Sequence, residues 1–130
     1  MVVELDAFHV QEENNMKKIL IVDDEPFILD TIKDVLQEQY EIATASNGEE
    51  AIVQVYRFKP DIIISDFIMP LLGGKEWMEI LYDIQHTKNI PVVIMSGRVD
   101  FNAIKEPLPL MNKPFKVDAL KTMIKVLLEE

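Results

Sequence analysis

Three apolar, strand-like runs stand out from an otherwise mixed chain, and each is followed by a polar residue. They are Lys18-Ile19-Leu20-Ile21-Val22, followed by Asp23-Asp24; Asp61-Ile62-Ile63-Ile64-Ser65, followed by Asp66; and Pro91-Val92-Val93-Ile94-Met95, followed by Ser96. A fourth segment, poorer in β-branched residues, ends in Lys113-Pro114. Continuous Ile/Val/Leu runs are the pattern of parallel strands buried on both faces. Helical patterns lie between them, so the chain reads as alternating β and α elements. Strands are predicted over 18–22, 41–45, 62–65, 92–95 and 110–112. Helices are predicted over 26–38, 49–58, 75–84 and 117–129. Pro26 is a favoured first-turn residue, and Pro60 stops the second helix. Asp100–Lys105 leaves room for one short helix, because Pro107 and Pro109 prevent a longer one.

Open parallel sheets bind ligands just outside the carboxyl ends of their strands. Asp23, Asp24, Asp66, Ser96 and Lys113 are therefore expected to converge on one patch. Two adjacent carboxylates facing a third repel one another unless a cation compensates. A hard divalent cation with oxygen ligands fits that need, and Mg²⁺ is the usual one where phosphate is handled. Taken singly, each element has an ordinary reading as well. Asp23-Asp24 and Asp66 read equally as solvated loop carboxylates, Ser96-Gly97 as a turn, and Lys113-Pro114 as a strand exit.

Composition narrows the class. A chain of 130 residues with 48% apolar content suits one domain with a real core. Cysteine is absent, which removes disulfides and thiolate metal sites. The N-terminus lacks a secretory pattern, and no apolar run approaches the ~20 residues needed to span a bilayer. The expectation is a soluble, cytoplasmic protein without membrane contact. A net charge of −10 argues against direct nucleic-acid binding and favours protein partners. Residues 1–15 mix apolar and acidic side chains. They read as a loosely ordered extension with Leu5 and Phe8 as docking side chains, followed by one domain over 16–130. His9 and His86 are isolated and make poor metal ligands.

The ordered set is more specific than its parts. Ile19-Leu20-Ile21-Val22-Asp23-Asp24-Glu25-Pro26, Pro60-Asp61-Ile62-Ile63-Ile64-Ser65-Asp66-Phe67-Ile68-Met69-Pro70 with Gly74, and Asn112-Lys113-Pro114-Phe115 together resemble the receiver domain of two-component response regulators, the family of the chemotaxis regulator. The resemblance covers about residues 17–130. It implies a flavodoxin-like, doubly wound α/β fold with a five-stranded parallel sheet in the order 2-1-3-4-5. It implies that Asp66 takes a phosphoryl group from a phosphohistidine, and that Mg²⁺ is held by Asp24, Asp66 and the backbone carbonyl of Ile68, with Asp23 acting mainly through water. Lys113 would contact a phosphoryl oxygen, Ser96 would hydrogen-bond to the acyl phosphate, and the Lys113–Pro114 bond would be cis. The expected partner is a histidine kinase or histidine phosphotransfer protein. The chain would be a switch that catalyses only its own phosphorylation and dephosphorylation, as a monomer or weak dimer. The expectation is a receiver without an output domain after the last helix, either a stand-alone regulator or relay intermediate, or a receiver taken from a hybrid kinase or larger regulator.

Two departures from the family pattern fall on the output side. The stretch between Ser96 and Lys113 is a few residues short, which shortens or removes the family's fourth helix. Leu110 occupies the switch position, where most members carry Tyr or Phe. Both read either as drift in a loop-rich segment or as a different output surface. In the first helix, Ile28, Leu29, Ile32, Val35 and Leu36 form one apolar arc. Phe27 falls off that arc and reads either as a singly exposed apolar residue or as a docking contact for the phosphodonor. The last helix has a wide apolar arc, Ala119, Leu120, Met123, Ile124, Val126, Leu127 and Leu128, wider than the sheet alone needs. Two other classes compete. A Mg²⁺-dependent phosphohydrolase of the haloacid-dehalogenase type would want Asp-x-Asp after its first strand, a spacing that Asp23-Asp24-Glu25 lacks. A flavin carrier would want a Ser/Thr/Gly-rich phosphate loop where this chain is anionic.

Overall fold

The computed structural model describes residues 16–66, 74–96 and 109–129. The elements run β1 (Lys18–Val22), α1 (Pro26–Leu36), β2 (Glu41–Ala45), α2 (Gly48–Phe58), β3 (Ile62–Asp66), α3 (Gly74–Lys88), β4 (Val92–Ser96), β5 (Leu110–Asn112) and α4 (Val117–Leu127). Four five-residue strands form the body of a parallel sheet in the order β2-β1-β3-β4. The three-residue β5 joins its edge, parallel to β4. Residues 1–15, Phe67 through Gly73, and the Asp100–Lys105 segment expected to form a short helix lie outside the described residues.

Alternation within the strands explains the two-sided packing. Successive side chains on a strand point to opposite faces. Leu20, Val22, Ile63, Val92 and Ile94 therefore pack against α2 and α3, in a core centred on Ala51, Val55, Trp77, Met78 and Leu81. Ile19, Ile21, Ile62, Ile64, Val93 and Met95 face the other way, toward Leu29, Ile32 and Leu36 of α1 and Leu120 and Ile124 of α4. Both faces are covered over β1 and β3, so a buried polar residue there needs a local reason, whereas the edge strand β2 leaves Glu41 exposed. Fully burying each such aliphatic side chain stabilises the fold by roughly 1.5–3 kcal/mol.

The helix ends follow local chemistry. Asn47 caps α2 by accepting the Glu50 amide at 2.9 Å. That helix ends at Lys59, which takes a left-handed conformation (φ 55°) just before Pro60. The sequence predicts that α3 stops near Ile84, where the apolar pattern fades. It continues one more turn, to Lys88. Asn89 ends it with φ 57°, a left-handed conformation that asparagine tolerates. On α4, Leu120 and Ile124 are buried and Met123, Leu127 and Leu128 pack at the core's edge. Val126 is exposed, so the wide arc is only partly absorbed by the sheet.

Candidate functional site

Strand register brings the polar run-ends together. Val22 is level with Ala45 and Ser65, Asp66 with Met95, and Ser96 with Asn112. The residues that follow Val22, end β3 and follow Asn112 therefore share the carboxyl edge of the sheet. Asp23, Asp66 and Lys113 meet there, with Asp24 and Glu25 adjoining on the turn into α1. Ser96 ends β4 on the same edge. Ile68 lies outside the described residues.

Lys113 is the hub of this group. Its Nζ donates to Asp23 Oδ2 at 2.7 Å and lies 3.7 Å from Asp66 Oδ2 and 3.9 Å from Glu25 Oε1. Asp23 is completely buried, and its other oxygen accepts the Glu25 amide at 3.0 Å. A buried carboxylate is tolerable because both oxygens are engaged. Partial burial of Lys113 works to lower its pKa. The hydrogen bond to Asp23 and the charges of Asp66, Asp23 and Glu25 together outweigh it, and the pKa is raised. The Lys113–Pro114 peptide is cis, as the resemblance implies.

The donor set fits a hard cation. Carboxylate oxygens of Asp23, Asp24 and Glu25 lie within 4.8 Å of one another. With Asp66, these acids set four carboxylates against the ammonium of Lys113. The residual negative charge and the all-oxygen ligand set suit Mg²⁺ or a similar ion. Glu25 is not among the site residues the sequence points to, although a third consecutive acid after the strand is the available signal. Nor did the sequence reveal that Lys113 holds Asp23 directly.

Phe27 projects from the first turn of α1 beside this site and is 76% exposed. A cavity of about 350 Å³ runs between α1 and α4, with Glu25 and Lys113 at one end and Ile32, Leu36 and Leu120 among its walls. His86 places Nδ1 2.8 Å from the Tyr82 carbonyl, a bond within its own helix. No helix among the described residues is long and apolar enough to cross a membrane.

Comparison with known proteins gives one answer. A family model for the response regulator receiver domain matches residues 19–125. The hybrid signal transduction histidine kinase D of Dictyostelium discoideum is 31% identical over 120 residues, covering 87% of this chain and 8% of that protein. The transcriptional regulatory protein KdpE of Staphylococcus aureus is 30% identical over 116 residues, covering 85% of this chain and 49% of that protein. The chain thus spans less than half the length of these curated relatives. Among solved structures, the Vibrio cholerae chemotaxis protein CheY4 superposes with a TM-score of 0.76 at 27% identity, over 86% of this chain and 98% of that one.

Proposed function

The chain belongs to the response regulator receiver domain family of two-component signalling, and we propose that it takes a phosphoryl group from a phosphohistidine onto Asp66 in a Mg²⁺-dependent reaction. The receiver unit is assigned to residues 16–130, with 1–15 as an extension. The observation that carries the reading is the Lys113 ammonium set between Asp23 and Asp66, at 2.7 and 3.7 Å, on an edge with a surplus of carboxylates.

The chemistry follows from the groups present. Asp66 attacks phosphorus with a carboxylate oxygen. The P–N bond of the donor breaks, its electron pair stays on the imidazole nitrogen, and an aspartyl phosphate forms. An ionised carboxylate needs no general base to do this. Lys113 places positive charge beside the incoming phosphoryl oxygens, where positioning and electrostatics supply most of the acceleration. Asp24 and Asp66 are the residues assigned to hold Mg²⁺, with Asp23 and the Ile68 carbonyl completing the set; Glu25 adjoins them. The bound ion would offset charge on the phosphoryl oxygens. Ser96, at the end of β4, is assigned the hydrogen bond to the acyl phosphate.

The donor is a histidine kinase or histidine phosphotransfer protein, and Phe27 is its docking contact. On the output side, Leu110 lies in β5 at the switch position. Leucine has no ring to swing inward, so the conformational response is expected to stay near the site. The test is intact mass after treatment with Mg²⁺ and a small acyl-phosphate donor. Wild type should gain one acid- and base-labile phosphoryl group and Asp66→Asn none. Robust labelling of the Asn variant would overturn the assignment. Turnover of a generic phosphomonoester would favour the haloacid-dehalogenase alternative.

A further inference from the structure

Ser65 interrupts the isoleucine run of β3 immediately before Asp66, and it is completely buried. A hydroxyl in apolar surroundings must find hydrogen-bond partners or destabilise the core. Here it has one on each side. Trp77, in the first turn of α3 and itself completely buried, places Nε1 2.7 Å from Ser65 Oγ. Ser65 Oγ lies 2.9 Å from the backbone carbonyl oxygen of Asp66. The direction of the chain is forced. An indole N–H can only donate, so Ser65 accepts from Trp77 and turns its own hydrogen toward the Asp66 carbonyl. Successive hydrogen bonds of this kind polarise and strengthen one another in a dry core.

We propose that Trp77 and Ser65 are positioning residues for the phosphoacceptor. Asp66 is the last residue of β3, where the strand's own ladder ends. The Trp77–Ser65 pair pins its carbonyl from the α3 side. A fixed carbonyl fixes the backbone torsions of Asp66, and those torsions decide which side-chain rotamers the carboxylate can take. The carboxylate is thereby held toward Lys113 and the donor rather than sampling alternatives. This inference rests on Asp66 being the phosphoacceptor.

Three variants test it: Ser65→Ala, Trp77→Phe and the hydroxyl-retaining Ser65→Thr. Labelling by a small phosphoramidate is followed over a range of donor concentrations, with thermal unfolding to confirm that each variant is folded. The maximal labelling rate should fall about tenfold in Ser65→Ala and Trp77→Phe, because small misplacements of a reacting group cost this much or more. The half-saturating donor concentration should hardly move, and Ser65→Thr should recover most of the rate. The ¹³C resonance of the Asp66 carbonyl, which needs no phosphorylation, should shift in Ser65→Ala and Trp77→Phe alike. A folded Ser65→Ala variant labelling at the wild-type rate would overturn the positioning role. An unmoved carbonyl resonance would show that the hydrogen-bonded chain does not reach Asp66. If wild type fails to label at all, the phosphoacceptor reading falls, and the resonance still decides whether Trp77 and Ser65 hold this backbone.

Discussion

At the amino end of the sheet, Lys18 and Asp61 hold each other in a closed exchange. The Lys18 amide donates to Asp61 Oδ2 at 2.8 Å, the Asp61 amide donates to the Lys18 carbonyl at 2.8 Å, and Lys18 Nζ reaches the Phe58 carbonyl at 3.3 Å. One carboxylate and one ammonium are matched by local partners. At the carboxyl end, Lys113 faces Asp23, Glu25 and Asp66, with Asp24 beside them. The same sheet thus ends in a balanced clasp on one side and a surplus of negative charge on the other. The clasp joins β1 to the start of β3 and serves stability. The surplus is poorly justified by stability alone, since like charges crowd there. It is consistent with the proposed role of this edge in holding a cation and a phosphoryl group.

The sharpest way to break that contrast is to remove the ammonium. Lys113→Met keeps the apolar stem and leaves the buried Asp23 carboxylate without its cation. Breaking such a pair should destabilise the protein by about 3 kcal/mol in metal-free buffer, since one charge stays buried and uncompensated. Added Mg²⁺ should narrow the gap. Urea unfolding with and without Mg²⁺ measures both, and equal stability of variant and wild type would show that the surplus is harmless. The pH dependence has a definite sign. Folding raises the pKa of Lys113, so its pairing contributes fully below the unfolded value of about 10.4. That contribution is lost as pH rises through the folded value. Wild type should therefore lose part of its advantage over Lys113→Met in strongly alkaline buffer.

A smaller effect is expected at the rim of the same end. Phe27→Ala should slow transfer from a phosphohistidine-bearing donor protein by about 2 kcal/mol, the scale of an aromatic interface anchor. Labelling by a small donor should be unchanged. Equal loss with both donors would make Phe27 part of the site rather than of its docking surface. The smallest effect belongs to the amino end. Asp61→Ala removes the acceptor of the Lys18 amide and should cost about 1 kcal/mol of stability. Its labelling rate should match wild type, and a slowed rate would show that the two ends are coupled.

Trp77 and Glu25 show how the sequence ran out. Nothing local to Trp77 marks its indole as a partner for Ser65 twelve residues earlier. Glu25 follows two acids that already complete the family pattern, so its position in the sequence does not single it out. The fourth turn of α3 leaves no apolar signal in the sequence, because residues 85–88 are polar, although the helix continues until Asn89 turns it off.

What the sequence determined by itself was the plan. Runs buried on both faces favour parallel strands, Pro26 and Pro60 mark the start of the first helix and the end of the second, and each run's polar end is then expected at the carboxyl edge. These are properties of neighbouring residues, so periodicity and backbone chemistry suffice to read them. What only the tertiary structure decided was which charged atoms touch. Lys113 and Asp23 lie 90 residues apart, and their 2.7 Å contact depends on strand register across the sheet and on the turn that carries Lys113 out of β5. The link from Trp77 through Ser65 to Asp66 likewise depends on how deeply α3 seats against β3. Distances of this kind are set by the packing of whole elements, and a local pattern of residues does not contain them.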